Sequence, residues 1–293
     1  MNDFKRDSPD LFQSPEEALQ YLRRIGGRED EDIDLGEAAL ALGLIFLPGL
    51  NIDRYRQHLS KLSEQLGEEF QLQLRLKKKD TLLLRVQVLR HIIHEMQGYR
   101  GDEKNYDDVQ NANFIRVIER RRGLPVSLGV LYIILARKMD WACEGLNFPG
   151  HFIVRMEKDG ELIILDPFKE GREMNAASLR QMLKSIAGKN AELSHNFYDV
   201  VSNREILLRL ENNLKKRLID SEDYSSAIIA AEAIEAFFPQ EYRTWLDKGV
   251  LYAKLGKNSQ AIAALEAYIE KTPHAQEKQQ ALLLLQQIKS APD

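Results

Sequence analysis

Cysteine is almost absent: Cys143 stands alone in 293 residues. One thiol excludes an internal disulfide framework and suits a reducing compartment. Long apolar runs are missing too. The longest, Ala38 to Leu47, covers 10 residues, about half of the roughly twenty that a membrane-crossing helix needs. The N-terminal stretch MNDFKRDSPDLF mixes both charge signs and lacks the apolar core of a secretory signal. The expectation is a cytoplasmic protein with no membrane attachment. A basic excess is also lacking, since 41 Lys and Arg face 45 Asp and Glu. A net charge of −4 excludes the electrostatic footprint of a dedicated nucleic-acid binder.

What is present is an ordinary globular composition, 44% hydrophobic and 29% charged. The first hundred residues carry helical periodicity. Ser14 reads as a cap, with Pro15 in the first helical position and Glu17 three residues past the cap; Gly26 and Gly27 stop this helix. A second helix is expected from about Ile33 to Phe46, a third after Asn51, and a fourth from Asp80 to Gly98. After Gly98 an Asn- and Asp-rich segment leads to a helix ending at Arg120, Arg121 and Arg122. A further helix, opened by Ser127, runs to about Met139. The stretches WACEGLNF, HFIVRME and ELIILDPF are rich in strand formers and divided by PG and DG turn signals. Helix followed by antiparallel strands gives an α+β, mostly helical fold class.

The C-terminal third repeats itself. Ala227 and Ala261 are 34 residues apart, as are Pro239 and Pro273, which is the tetratricopeptide period. Trp245, Gly249, Tyr252, Gly256, Ala261 and Pro273 complete the pattern in the second unit, whereas the first has Lys215 at a small-residue position. Three parts follow: a helical region 1–97, an α+β domain 98–202 and a repeat array 203–293.

Candidate chemistry gathers around Ser127, His151 and Asp166. The Asp159-Gly160 pair is a two-residue hairpin signal that sets Lys158 opposite Glu161 and Ile153 opposite Asp166. Alternation then puts His151 and Asp166 on one face as diagonal neighbours, with backbones about 7 Å apart. Ser127, at a helix entrance where the dipole favours an anion, would complete a nucleophile, base and acid. The plainer reading of Ser127 is a helix N-cap, with a ligand-binding hydroxyl as a further alternative. Cys143 is the rival nucleophile, although its place inside a strand fits a buried structural thiol. His91 and His94 with Glu95 depart from the H-E-x-x-H zinc order, so neither a metal nor a cofactor is indicated. Arg120 to Arg122 complement a helix C-terminus or meet phosphate. Asn111, Asn113 and Tyr106 line the cleft or build its loop.

The segments RRGLPVSL, PGHF and DPF resemble the SirB-type transglutaminase-like proteins, which carry this domain between a helical region and tetratricopeptide repeats. The resemblance implies a papain-like core with the nucleophile, histidine and aspartate positions falling on Ser127, His151 and Asp166. Serine stands where thiol chemistry uses cysteine. It therefore implies a protein-binding or regulatory module with a protein or peptide partner, or alternatively a hydrolase or acyltransferase using Ser127.

Overall fold

The computed structural model describes residues 11–76 and 79–290. The first ten residues, which carry most of the stretch used to argue against a secretory signal, lie outside the described residues. Helix α1 (Pro15–Gly26) starts as its sequence dictates: Ser14 Oγ accepts the Glu17 N–H, and Pro15 occupies the first turn. Asp34 caps the almost wholly buried α2 (Leu35–Leu44), which is shorter than the periodicity suggests. Helix α3 (Asp53–Arg75) is followed by α4 (Leu82–Arg90), capped by Thr81. The expected long fourth helix is not α-helical throughout: from His91 to Met96 it widens into a π-helical turn.

The middle of the chain begins with β1 (Arg100–Gly101), α5 (Phe114–Arg120) and β2 (Arg122–Gly123), and β1 and β2 pair in parallel. Helix α6 (Pro125–Lys138) is buried almost from end to end. Four antiparallel strands follow in spatial order: β3 (Ala142–Gly145), β4 (Val154–Lys158), β5 (Glu161–Asp166) and β6 (Arg172–Glu173). Asp159 and Gly160 both have positive φ, at 52° and 82°, as a type I′ hairpin requires. The ladder runs from Lys158 opposite Glu161 to Val154 opposite Leu165, the register that this turn predicts. Strand β4 begins at Val154, so His151 lies ahead of the strand and not within it as the periodicity suggests.

The sheet is covered on both faces. Cys143, Val154, Met156 and Leu165 join the main core with α6, while Ile153, Ile164 and Met174 pack on Leu179 and Leu183 of α7 (Ala176–Ala187). Five helices complete the chain: α8 (Asn203–Asp220), α9 (Tyr224–Phe237), α10 (Arg243–Lys254), α11 (Asn258–Lys271) and α12 (Ala275–Ser290). Small residues let them close together. A Cβ on Gly249 would stand 2.7 Å from Leu265, and Ala227 and Ala261 are fully buried. The array does not stand apart, because Ile206, Leu207, Leu210 and Leu214 of α8 belong to the same core as α1 and α2. Asp30 reinforces this contact by accepting the backbone N–H groups of Asn203 and Arg204 at 2.7 and 2.9 Å. Among the described residues no helix is long and apolar enough to cross a membrane.

Candidate active site and its cleft

The segment PGHF is held by two close approaches. Gly150 takes φ of +69°, which turns the chain ahead of the sheet. Phe152 then lies against Gly129 of α6, where a Cβ would meet its ring at 2.4 Å. This packing presents His151 to the end of β5. There Asp166, 1% exposed at its side chain, accepts a hydrogen bond from His151 Nε2 at 2.8 Å and another from Phe168 N–H at 3.0 Å. An acceptor carboxylate fixes the ring proton on Nε2. The Phe168 ring meets the imidazole edge-on, with centroids 6.1 Å apart. Asp166 Oδ2 is buried and has no hydrogen-bond partner among the described residues.

Ser127 is placed differently. The N-cap of helix α6 lies three residues earlier than Ser127, at Leu124, with Pro125 at the first position, since proline's fixed φ suits that place. Ser127 is thus the third helical residue and not the N-cap. Its fully buried hydroxyl donates to the Asn111 carbonyl at 2.7 Å and accepts the Leu124 N–H at 3.2 Å. No hydrogen bond joins it to His151 among the described residues. The structure brings His151 and Asp166 together and turns the third hydroxyl toward the backbone.

The other candidates resolve as well. Cys143 is buried in β3, and burial pushes its thiol up to about 12, the reverse of what a reactive thiolate needs. His91 bonds Glu95 at the surface, whereas His94 is buried between the Tyr99 carbonyl and the Tyr132 hydroxyl, so the two histidines do not converge. Among the described residues no group of three or more His, Cys, Asp or Glu could hold a metal. Arg120 pairs with Asp108 at 3.0 Å and Asp102 at 3.4 Å. Arg121 lies 4.6 Å over the Tyr99 ring, and Arg122 bonds the Gly98 carbonyl. Asn113 caps α5 and reaches the Gly43 carbonyl. Tyr106 does line the cleft.

That cleft is a hollow of about 230 Å³ beside His151, lined by Tyr106, Pro125 and Val126 and by Arg209 and Asn213. Arg209 is a wall that sequence reasoning missed. It belongs to α8, in the repeat array, and donates to the carbonyls of His151 at 2.8 Å and Phe148 at 3.0 Å. Its guanidinium also covers the Phe152 ring at 5.5 Å. No local pattern marks it, because it looks like any polar-face residue of a repeat helix.

A buried helix packed on an antiparallel sheet, with a histidine and an aspartate from the sheet side beside the helix N-terminus, defines a papain-like core of the transglutaminase type. Residues 53–212 match the Transglutaminase-like superfamily, and residues 214–289 match the Tetratricopeptide repeat. The chain belongs to the transglutaminase-like superfamily, in the group that carries tetratricopeptide repeats behind this domain. It is 28% identical to a UPF0162 protein of Xylella fastidiosa over 84% of this chain and 86% of that one. It is 29% identical to a UPF0162 protein of Vibrio cholerae over 84% and 90%. Protein SirB1 of Salmonella typhimurium is 29% identical over 54% of this chain and 59% of its own length. Among solved structures, menin aligns with 93% of the chain at 12% identity and a TM-score of 0.36, a likeness too low to carry an argument.

Proposed function

We propose that this chain is a recognition protein, in which the transglutaminase-like cleft binds a peptide or small ligand and the repeat array contributes a cleft wall and a surface for a protein partner. One observation carries the reading: the Ser127 hydroxyl is engaged by Asn111 and Leu124 and not by His151. A serine nucleophile needs its proton in reach of the base, and here that proton is directed to a backbone carbonyl. Cys143 offers no substitute from inside the sheet. The His151–Asp166 bond then orients a polar group toward a ligand. In this reading the helical region 1–97 is scaffold, 98–202 forms the cleft domain, 203–293 is the interaction array, and the protein works in the cytoplasm.

The 2.8 Å bond between His151 and Asp166 also favours a second reading, a hydrolase or acyltransferase in which Ser127 rotates toward the base. Incubation with fluorophosphonate and acyl probes, followed by peptide mass mapping, separates the two. The recognition reading expects no adduct on Ser127. An adduct that disappears in His151→Ala replaces it with the enzymatic one.

A further inference from the structure

Arg209 is an unusual occupant of a cleft wall. It is partly buried, and burial pulls its guanidinium below the usual arginine range. Such a charge ordinarily sits against a carboxylate, yet no ion pair joins Arg209 to an acid among the described residues. The nearest acid on its helix face, Glu205, reaches back instead to cap α8 through the Ser202 N–H and hydroxyl, at 2.7 and 2.9 Å. Among the described residues only one of the guanidinium nitrogens is engaged, Nη2 by the two carbonyls. The same hollow is lined by His151 and by the entrance of α6, where Val126 is the second helical residue and has no carbonyl four residues back inside the helix. Two sources of positive potential or N–H donors, the Arg209 guanidinium and the first turn of α6, thus line one small hollow, with the His151 ring beside them.

We propose that this hollow is a carboxylate site in which the terminal carboxylate of a peptide pairs with Arg209 beside His151. The proposal rests on the recognition reading and names its ligand class. The size fits: about 230 Å³ is below the usual range for an extended ligand and suits one terminal residue. A second hollow of about 360 Å³ on α8 shares Arg209 and Asn213 with it and is lined further by Glu205, Leu208, Asn212 and Lys216. This gives the residues ahead of the terminus a polar track. A planar guanidinium recognises a carboxylate through paired N–H donors, which an amide cannot accept in the same way.

The test uses the full chain and two probes, N-acetylalanine and N-acetylalaninamide, titrated by NMR against the Arg209 Nε–H and His151 ring signals. The free acid should shift both signals saturably and bind at least about tenfold more tightly than the amide. Arg209→Gln should remove that preference. Because Arg209 also supports the PGHF turn, Asn213→Asp serves as the second variant: it sets a competing carboxylate beside Arg209 and should weaken the acid selectively. A capped tetrapeptide compared with its free-acid form distinguishes a peptide terminus from a small free acid, and the peptide acid should bind more tightly than N-acetylalanine. Equal affinity of acid and amide overturns the carboxylate assignment but leaves a binding cleft in place. Equal affinity of the two acids overturns the peptide assignment. Binding of neither acid nor amide overturns the inference without touching Ser127, whose chemistry the phosphonate probes read separately.

Discussion

Replacing Ser127 by alanine distinguishes a structural hydroxyl from a nucleophile by its effect on stability. In the fold three groups share one buried corner. The Leu124 N–H lies 3.2 Å from both the Asn111 carbonyl and Ser127 Oγ, and that hydroxyl donates to the same carbonyl at 2.7 Å. Alanine removes the short bond and one half of a shared one, while the Leu124 to Asn111 contact survives. No backbone group is left wholly unpaired. The loss is therefore that of one buried neutral hydrogen bond and part of another, about 1–2 kcal/mol. For a chain of 293 residues that lowers Tm by roughly 2–3 °C. Urea denaturation at neutral pH, followed by far-UV circular dichroism, supplies the measurement. Ser185→Ala, at an exposed hydroxyl bonded to the Met182 carbonyl, is the control and should cost less than about 0.5 kcal/mol. If Ser127→Ala is as stable as wild type, or more so, the hydroxyl is not a structural tie and the reasoning fails. Catalytic groups are often held at some expense to stability, so removing one commonly stabilises.

Three further outcomes follow from the packing. Gly129→Ala should displace the Phe152 ring and with it His151, costing about 1–3 kcal/mol by overpacking; the downfield Nε2–H resonance of His151 should weaken or vanish. Glu211 is buried on α8, and desolvation pushes its carboxyl from 4.5 up to about 8, with Lys215 acting the other way. Between those values the folded chain holds a proton that the unfolded chain has released, so this residue makes stability fall as pH rises from 4.5 to 8, by at most about 1.4 kcal/mol per unit. Glu211→Gln should flatten that slope in pH-dependent denaturation; an unchanged slope would show that Glu211 is charged at neutral pH. Residues 203–293 expressed alone should not form a cooperatively folded monomer, because the α8 face carrying Ile206, Leu207 and Leu210 loses its partners in α2 and α6. A sharp two-state melt of a monomer would contradict this.

How far the molecule could be read in its sequence differs from element to element. The Asp159-Gly160 turn leaves little freedom, and the ladder it dictates is the one found. The 34-residue period likewise identifies helix pairs, because small residues and prolines recur for steric reasons. His151 meets Asp166, but by a different route: alternation along a strand predicts the pair, whereas a turn at Gly150 and a wedge at Phe152 bring the ring in from outside the strand. For Ser127 the deciding sign was one residue class away. Pro125 marks the first helical position, and that makes Leu124 the cap and Ser127 an interior first-turn residue. Other features have no local signature. The π-helical turn after Arg90 leaves no trace in the periodicity, and β6 has two residues. Arg209 reaches the cleft only because the repeat array folds back onto the domain.

The central claim is that Ser127 is uncoupled from His151. It is tested most directly by Ser127→Cys in a Cys143→Ala background, with iodoacetamide labelling of the single thiol followed across pH. The account predicts a slowly reacting thiol that ionises at or above the ordinary value of about 8.5 and behaves identically when His151→Ala is added. A thiol with a depressed pKa that rises on removal of His151 would contradict it and show a catalytic couple still in place.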